Sequence, residues 1–81
     1  MEFEKGKQYQ VKLGRKHMNS VIKAVYVEPH EETGLHVVEM VCPIQWKGSY
    51  HTLALNQELK QKYGHGINYM VDAKQILKEV K

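Results

Sequence analysis

Cys42 is the only thiol in the 81-residue sequence, and therefore the only candidate for a thiol nucleophile. Such a nucleophile needs a base within hydrogen-bond reach. His36 shares its side of the same predicted strand, but six residues of extended chain separate the two side chains by about 20 Å. A lone cysteine between Val41 and Pro43 is more often a small packed side chain than a reactive one. We therefore predict a structural thiol.

Histidines are the other residues that could support chemistry, because imidazole is the commonest protein ligand of zinc. They stand at positions 17, 30, 36, 51 and 65. No two are three or four residues apart, and none pairs with a nearby cysteine in a zinc-ligand spacing. The glycines around His65 follow a predicted helix instead of opening one, so they lack the helix amino end that phosphate-binding loops use. The sequence predicts no enzyme, no metal ion and no cofactor.

Charge is segregated along the chain. Residues 1–23 carry six basic and two acidic side chains (net +4), residues 24–46 carry four acidic and no basic ones (net −4), and residues 47–81 carry six against three (net +3). Cationic side chains neutralise phosphates while exposed aromatic rings stack on bases. We therefore expect a site for single-stranded DNA or RNA formed by Lys5, Lys12, Arg15, Lys16, Trp46 and Lys47.

The acidic block supports a second hypothesis. Carboxylates grouped on one hairpin would repel phosphates, and they could imitate nucleic acid or engage a basic protein surface. The alternative function is a protein-binding inhibitor or adaptor, of the kind that phages and mobile elements encode, acting through the acidic hairpin 28–39. Its contact residues would be Glu28, Glu31, Glu32 and Glu39.

Size and composition indicate one soluble globular domain over residues 1–81. A chain this short buries only about 60% of the surface that its unfolded form exposes. No apolar run approaches the roughly 20 residues of a membrane span, so no membrane association is expected. The amino-terminal residues do not resemble a signal or transit peptide, and a single cysteine allows no internal disulfide. These features predict a cytoplasmic location.

Hydrophobic periodicity predicts the elements that must position these side chains. Residues 8–13 alternate strictly between apolar and polar, and Val and Tyr are dense in 21–27, so both segments are predicted strands. A loop over 28–34 leads to a third strand that is apolar on both faces, as a central strand would be. Pro43 should interrupt its pairing at a bulge or edge. The predicted strands are 8–13, 21–27, 35–42 (resuming over 44–46), 50–55 and 67–71.

Two helices complete the prediction. Asn56 is a favoured N-cap and Gly64 a favoured helix terminator, which predicts one short helix between them. Asp72 and Gln75 fit a capping box before a helical apolar pattern, which predicts a carboxyl-terminal helix over residues 72–80. The alternative is a strand through Ile76, which would place Lys74 and Lys78 on the same face as that apolar residue. A tight turn at Lys47-Gly48 is expected to connect two strands.

Short motifs resemble a known fold. The segments Phe3-Glu4-Lys5-Gly6-Lys7 and Tyr9-Gln10-Val11-Lys12, with the strand 22–27, resemble the opening of a small SH3-like barrel of the KOW kind. The segment 64–71, GHGINYMV, is similar to the end of signalling SH3 domains, where a glycine turn precedes an Asn-Tyr-Val strand. The resemblance implies a β-rich α+β fold: a small five-stranded antiparallel SH3-like barrel with a short helix before the last strand and an added carboxyl-terminal helix. It carries over no ligand-contacting residue, since fold alone does not determine function.

Overall fold

A computed structural model describes residues 2–15 and 18–80 of the chain. Within them, neighbouring strands of a five-stranded sheet all pair antiparallel, in the order β4-β3-β2-β1-β5. This confirms the β-rich α+β class. The elements are β1 (Gln8–Arg15), β2 (Met18–His30), β3 (Leu35–Gln45), α1 (Tyr50–Tyr63), β4 (Asn68–Val71), a 3₁₀-helix (Ala73–Gln75) and β5 (Ile76–Glu79).

One hydrophobic core covers one face of the sheet, and every strand contributes to it. The alternation predicted for β1 is confirmed, because Tyr9, Val11 and Leu13 are buried while Lys12 is exposed. We call this buried side the inner face and the opposite side the outer face. The other buried apolar residues of the sheet are Ile22, Ala24, Tyr26, Val38, Met40, Val71 and Ile76.

The long second strand must bend. Thirteen straight residues would span roughly 40 Å, but the longest dimension of the molecule is 32 Å. The register of β2 against β3 shifts at three points, and each bulge increases local bending and twist. Pro43, opposite Ile22, lies between two of these shifts, as predicted. The predicted hairpin is confirmed with a shorter loop, because β2 continues through Pro29, which pairs with His36.

The prediction of a strand over residues 50–55 is wrong, because α1 begins at Tyr50. The Ser49 hydroxyl caps this helix by accepting a hydrogen bond from the Thr52 N–H at 3.3 Å. Asn56, expected to be the N-cap, lies inside the helix and is buried. The predicted end is confirmed: Gly64 adopts the left-handed φ of 81° and donates its N–H to the Lys60 carbonyl.

The predicted carboxyl-terminal helix is also wrong. A 3₁₀-helix spans Ala73–Gln75, and Ile76–Glu79 form β5, which pairs with β1. The helical apolar pattern covered only nine residues, and an isolated helix of that length is marginal, so tertiary pairing determines the conformation. Gln75 still ties the segment down: its Oε1 accepts the Asp72 N–H and its Nε2 donates to the Lys12 carbonyl, both at 2.9 Å.

Helix α1 lies beside the part of β3 that β4 does not reach. The β3–β4 pairing ends where Glu39 stands opposite Asn68. Beyond that point Lys60 Nζ donates to the Val41 carbonyl at 2.8 Å, and the Asn56 Oδ1 accepts the Ile67 N–H at 2.8 Å. In the described part of the chain, no helix is both long and apolar enough to cross a membrane.

Candidate nucleic-acid interface

The predicted basic residues do not form a single cluster. Lys5 lies in the turn before β1, where the Gly6 N–H donates to the Tyr26 carbonyl at 2.9 Å. Lys47 lies at the other end of the sheet, where its N–H donates to Ser20 Oγ at 2.9 Å. Six residues of β2, about 20 Å of extended chain, separate these two anchor points. Lys5 and Lys47 are therefore anchored at different parts of β2.

Two predicted contacts lie at or beyond the edge of the described structure. Arg15 ends β1 and pairs with Met18, at the same end of the sheet as Ser20. Its side chain and the whole of Lys16 lie outside the described residues. Lys12 is placed more fully, since it is exposed on the outer face opposite Val21.

Trp46 belongs to the connection between β3 and α1 and not to a hairpin tip as predicted. The residues after Lys47-Gly48 form a helix, so no strand returns there. Trp46 is half-buried and packs against the core. Its indole N–H donates to the Ser49 carbonyl at 3.1 Å, which fixes the ring beside the start of α1.

Tyr50 is the exposed aromatic side chain at this end of the molecule. It is the first residue of α1 and 85% exposed, three residues after the exposed Lys47. The first turn of α1 contains no acidic residue. Its N–H groups give this end of the helix a partial positive charge that favours anions. We call the surface formed by Lys47, Tyr50 and the first turn of α1 the rim.

The sequence prediction placed residue 50 in a strand and so did not select its ring as a contact. The signal that could have identified it is Ser49 as the N-cap of a longer helix. Serine, followed within a few residues by Leu, Ala, Gln, Glu and Lys, is typical of a helix start.

Three of the four predicted acidic contacts lie together at the turn of the β2–β3 hairpin. Glu28, Glu31 and Glu32 are exposed near the β2–β3 turn. Thr33 Oγ1 holds this turn in shape, because it accepts the Leu35 N–H at 3.3 Å. Glu39 lies elsewhere, half-buried opposite Val25 on the outer face of the sheet.

The prediction of a packed Cys42 is wrong, because the thiol is exposed. It stands opposite Lys23, which lies between the buried Ile22 and Ala24, so both side chains lie on the outer face. Two register shifts in this part of β3, one on either side of the Lys23–Cys42 and Ile22–Pro43 pairs, set which residues face out. In the described part of the chain, no group of three His, Cys, Asp or Glu side chains could hold a metal ion.

Several polar side chains are occupied within the fold. His36 Nδ1 lies 2.7 Å from the Tyr26 hydroxyl, and its ring packs edge-on against Phe3. Burial raises the pKa of Tyr26 above its ordinary value, and it also raises the pKa of Tyr69.

Lys7 is also engaged and does not add free charge to the interface. Its Nζ lies 3.3 Å from a Glu4 carboxylate oxygen and 3.8 Å from one of Glu79. The hydrogen bond to Glu4 raises the pKa of Lys7, and the negative charges of the two carboxylates act in the same direction.

Comparison of the chain with known protein families, with curated proteins and with solved structures gave no match.

Proposed function

We propose that this protein is a non-enzymatic binding module that binds single-stranded DNA or RNA through the rim. The observation that carries the proposal is an exposed ring close in sequence to an exposed charge: Tyr50 is 85% exposed, three residues after the exposed Lys47, at a helix amino end without acidic residues. Exposed aromatic rings next to cations are the usual means by which small proteins bind single strands.

Hydrogen bonds hold the backbone of the rim in place, which favours a role in binding for its exposed side chains. The Lys47 backbone is fixed to Ser20, and the Trp46 indole is fixed to the Ser49 carbonyl. A base stacked on Tyr50 would leave its phosphate near Lys47 and the N–H groups of the first helical turn. Stacking on such a ring is worth about 1–3 kcal/mol per base.

The fold that we propose is an SH3-like barrel. Leu13 of β1 and Leu35 of β3 line one cavity of about 490 Å³. Their partners on β2, Ser20 and His30, are ten residues apart, which is about 33 Å in a straight strand. A strongly curled sheet, whose two edge strands are joined by the short 3₁₀ connection, accounts for this proximity. The expected barrel layout therefore remains part of the proposal.

Fluorescence anisotropy with labelled oligo(dT) and oligo(rU) at low salt tests the proposed function. Lys47→Glu and Tyr50→Ser should each weaken binding by about fivefold or more, since each removes a contact worth about 1 kcal/mol or more. Matched controls lie on the last turns of the same helix: Lys62→Glu and Tyr63→Ser change the same residue types at exposed positions. Equal effects of the two pairs, or no binding by the unchanged protein, would exclude the rim as a nucleic-acid site.

A second candidate function is recognition of a basic protein surface by the acidic β2–β3 hairpin. The observation in its favour is that Glu28, Glu31 and Glu32 are exposed together near the β2–β3 turn. An inhibitor or adaptor could present these carboxylates to a cationic partner. Capture of partners from the native host after nuclease treatment, comparing the unchanged protein with Glu31→Lys/Glu32→Lys, tests this function. A protein partner lost only in the variant would support it.

A further inference from the structure

A row of aligned side chains crosses the outer face of the sheet. Cys42 on β3 stands opposite Lys23 on β2, Lys23 stands opposite Gln10 on β1, and Gln10 stands opposite Lys78 on β5. Directly opposed residues share a face of the sheet, with Cα atoms about 4.5–5.5 Å apart. Lys23 and Lys78 therefore flank Gln10 at a backbone separation of about 10 Å.

A bulge in β5 brings Lys78 to this face. Ile76 is buried opposite Val11, and simple alternation would return Lys78 to the inner face. The register of β1 against β5 shifts between Gln10 and Val11, so Leu77 is the extra residue and Lys78 stands opposite Gln10. Bulges commonly redirect a side chain in this way.

Lys12 extends the same positive surface towards the rim. It lies two residues beyond Gln10 on the exposed side of β1, opposite Val21, which in turn stands opposite Gln45. Gln45 is two residues from Lys47, so the row leads across the outer face to the rim. We call Lys12, Lys23 and Lys78 around Gln10 the outer basic surface.

Within residues 2–15 and 18–80, no ion pair neutralises the lysines of the outer basic surface. Among the described residues, the ion pairs are those of Lys7 with Glu4 and with Glu79. The nearest acidic residue on the face by register is Glu39, which stands opposite Val25, one row from Lys23. Three lysines grouped without a carboxylate among them produce a local positive potential.

We propose that the outer basic surface is a second contact region for the sugar-phosphate backbone of the strand held at the rim. This inference rests on the proposed function and specifies its ligand: an extended single strand of about ten nucleotides, within the range that small binding domains cover. One end of the strand stacks at Tyr50, and its backbone then passes over Lys12 to Lys23 and Lys78. A fragment of about four nucleotides would occupy the rim alone.

Anisotropy titrations of (dT)4 and (dT)12 across a salt series test this assignment. The unchanged protein should bind (dT)12 more tightly and with the steeper dependence on salt. Lys23→Glu/Lys78→Glu should flatten the log–log salt slope for (dT)12 by at least about 1.4, since each lysine that neutralises a phosphate contributes about 0.7. Binding of (dT)4 should be unchanged, whereas Lys47→Glu should weaken both.

Gln10 supplies a second test that removes no lysine. Gln10→Lys should tighten (dT)12 binding and Gln10→Glu should weaken it, because the new charge lies between Lys23 and Lys78. Gln61, exposed on α1, gives the matched controls Gln61→Lys and Gln61→Glu. If the variants at residues 10 and 61 act alike, or if the lysine variant affects (dT)4 and (dT)12 equally, the inference is wrong while the rim site can stand. No binding of either oligonucleotide at low salt would overturn both.

Discussion

Two neighbouring aromatic residues, Trp46 and Tyr50, have opposite roles that their residue types do not determine. The Trp46 ring packs against the core and its N–H is bonded to the Ser49 carbonyl. Tyr50 lies one residue after the N-cap and is 85% exposed. The ring available for stacking is therefore the tyrosine, although tryptophan was the one predicted from sequence.

Cys42 should react in the folded protein. We expect a thiol reagent such as DTNB to label native Cys42 at a rate comparable to that in the urea-unfolded chain, because the side chain is exposed on the outer face. Cys42→Ser should change the free energy of unfolding by less than about 0.5 kcal/mol. Labelling that is much slower in the native protein would show that the thiol is covered.

Tyr69 should make the protein less stable at alkaline pH. Burial raises the pKa of Tyr69 above the ordinary 10.0, so above that pH the unfolded chain loses its tyrosine proton before the folded one does. The contribution of the protonated Tyr69 to the free energy of unfolding is complete below pH 10.0. It is lost as the pH rises through the pKa of Tyr69 in the folded protein. Urea unfolding between about pH 8 and 11 should show a smaller decline for Tyr69→Phe than for the unchanged protein. Tyr63→Phe, at an exposed position, should show the full decline.

The turn before β4 holds α1, β3 and β4 together through one glycine. A Cβ on Gly66 would overlap Asn56 Oδ1 and lie 2.7 Å from the Met40 carbonyl oxygen. The same region carries the Asn56 bond to the Ile67 N–H and the Met40 N–H bond to the Ile67 carbonyl. Gly66→Ala should therefore lower the free energy of unfolding by about 3 kcal/mol.

Gly14→Ala is the matched control for this element. Its added Cβ would meet nothing closer than 3.7 Å, and Gly14 is not among the glycines with positive φ. Urea unfolding of the two variants should show little change at residue 14 and a large one at residue 66. If Gly66→Ala is as stable as Gly14→Ala, the turn before β4 relaxes to accept the Cβ and does not fix the position of α1.

The sequence predicted those elements whose signals are local. β1 and the β2–β3 hairpin follow from alternation and from turn residues, and each was found. The segments 50–55 and 72–80 carry both strand and helix signals over few residues, so capping by Ser49 and pairing with β1 decided them. Simple alternation along a strand would place Lys78 on the same face as the apolar Ile76, which favoured a helix. The bulge at Leu77 moves Lys78 to the outer face, so a strand can bury one residue and expose the other.

The candidate site was predictable in charge but not in arrangement. Lys12 and Lys47 were selected from the sequence, and both are exposed. Strand register decides that these two lysines are separated from Lys5 and that Lys23 and Lys78 lie on the outer face. The periodicity of a single sequence does not specify register.

At the scale of the whole molecule, the fold places a positive and a negative region beside the two ends of β2. The rim lies beside Ser20 near the start of β2, whereas the exposed Glu31 and Glu32 follow the end of the same strand. The two regions therefore lie beside opposite ends of this strand. A phosphate-bearing ligand would be attracted to one end and repelled from the other, which favours a single orientation of approach.

The effect of the hairpin carboxylates on nucleic-acid binding should depend on the salt concentration. Glu31→Lys/Glu32→Lys should strengthen nucleic-acid binding at about 10 mM salt, where the screening length is about 30 Å and comparable to the size of the molecule. At about 150 mM the screening length falls to about 8 Å, so the same variant should bind no more tightly than the unchanged protein. Lys47→Glu should weaken binding at both concentrations, because direct contacts are screened less than distant charges. If Glu31→Lys/Glu32→Lys still strengthens binding at the higher salt, the β2–β3 hairpin touches the ligand. If it has no effect at the lower salt, these carboxylates do not influence binding at the rim.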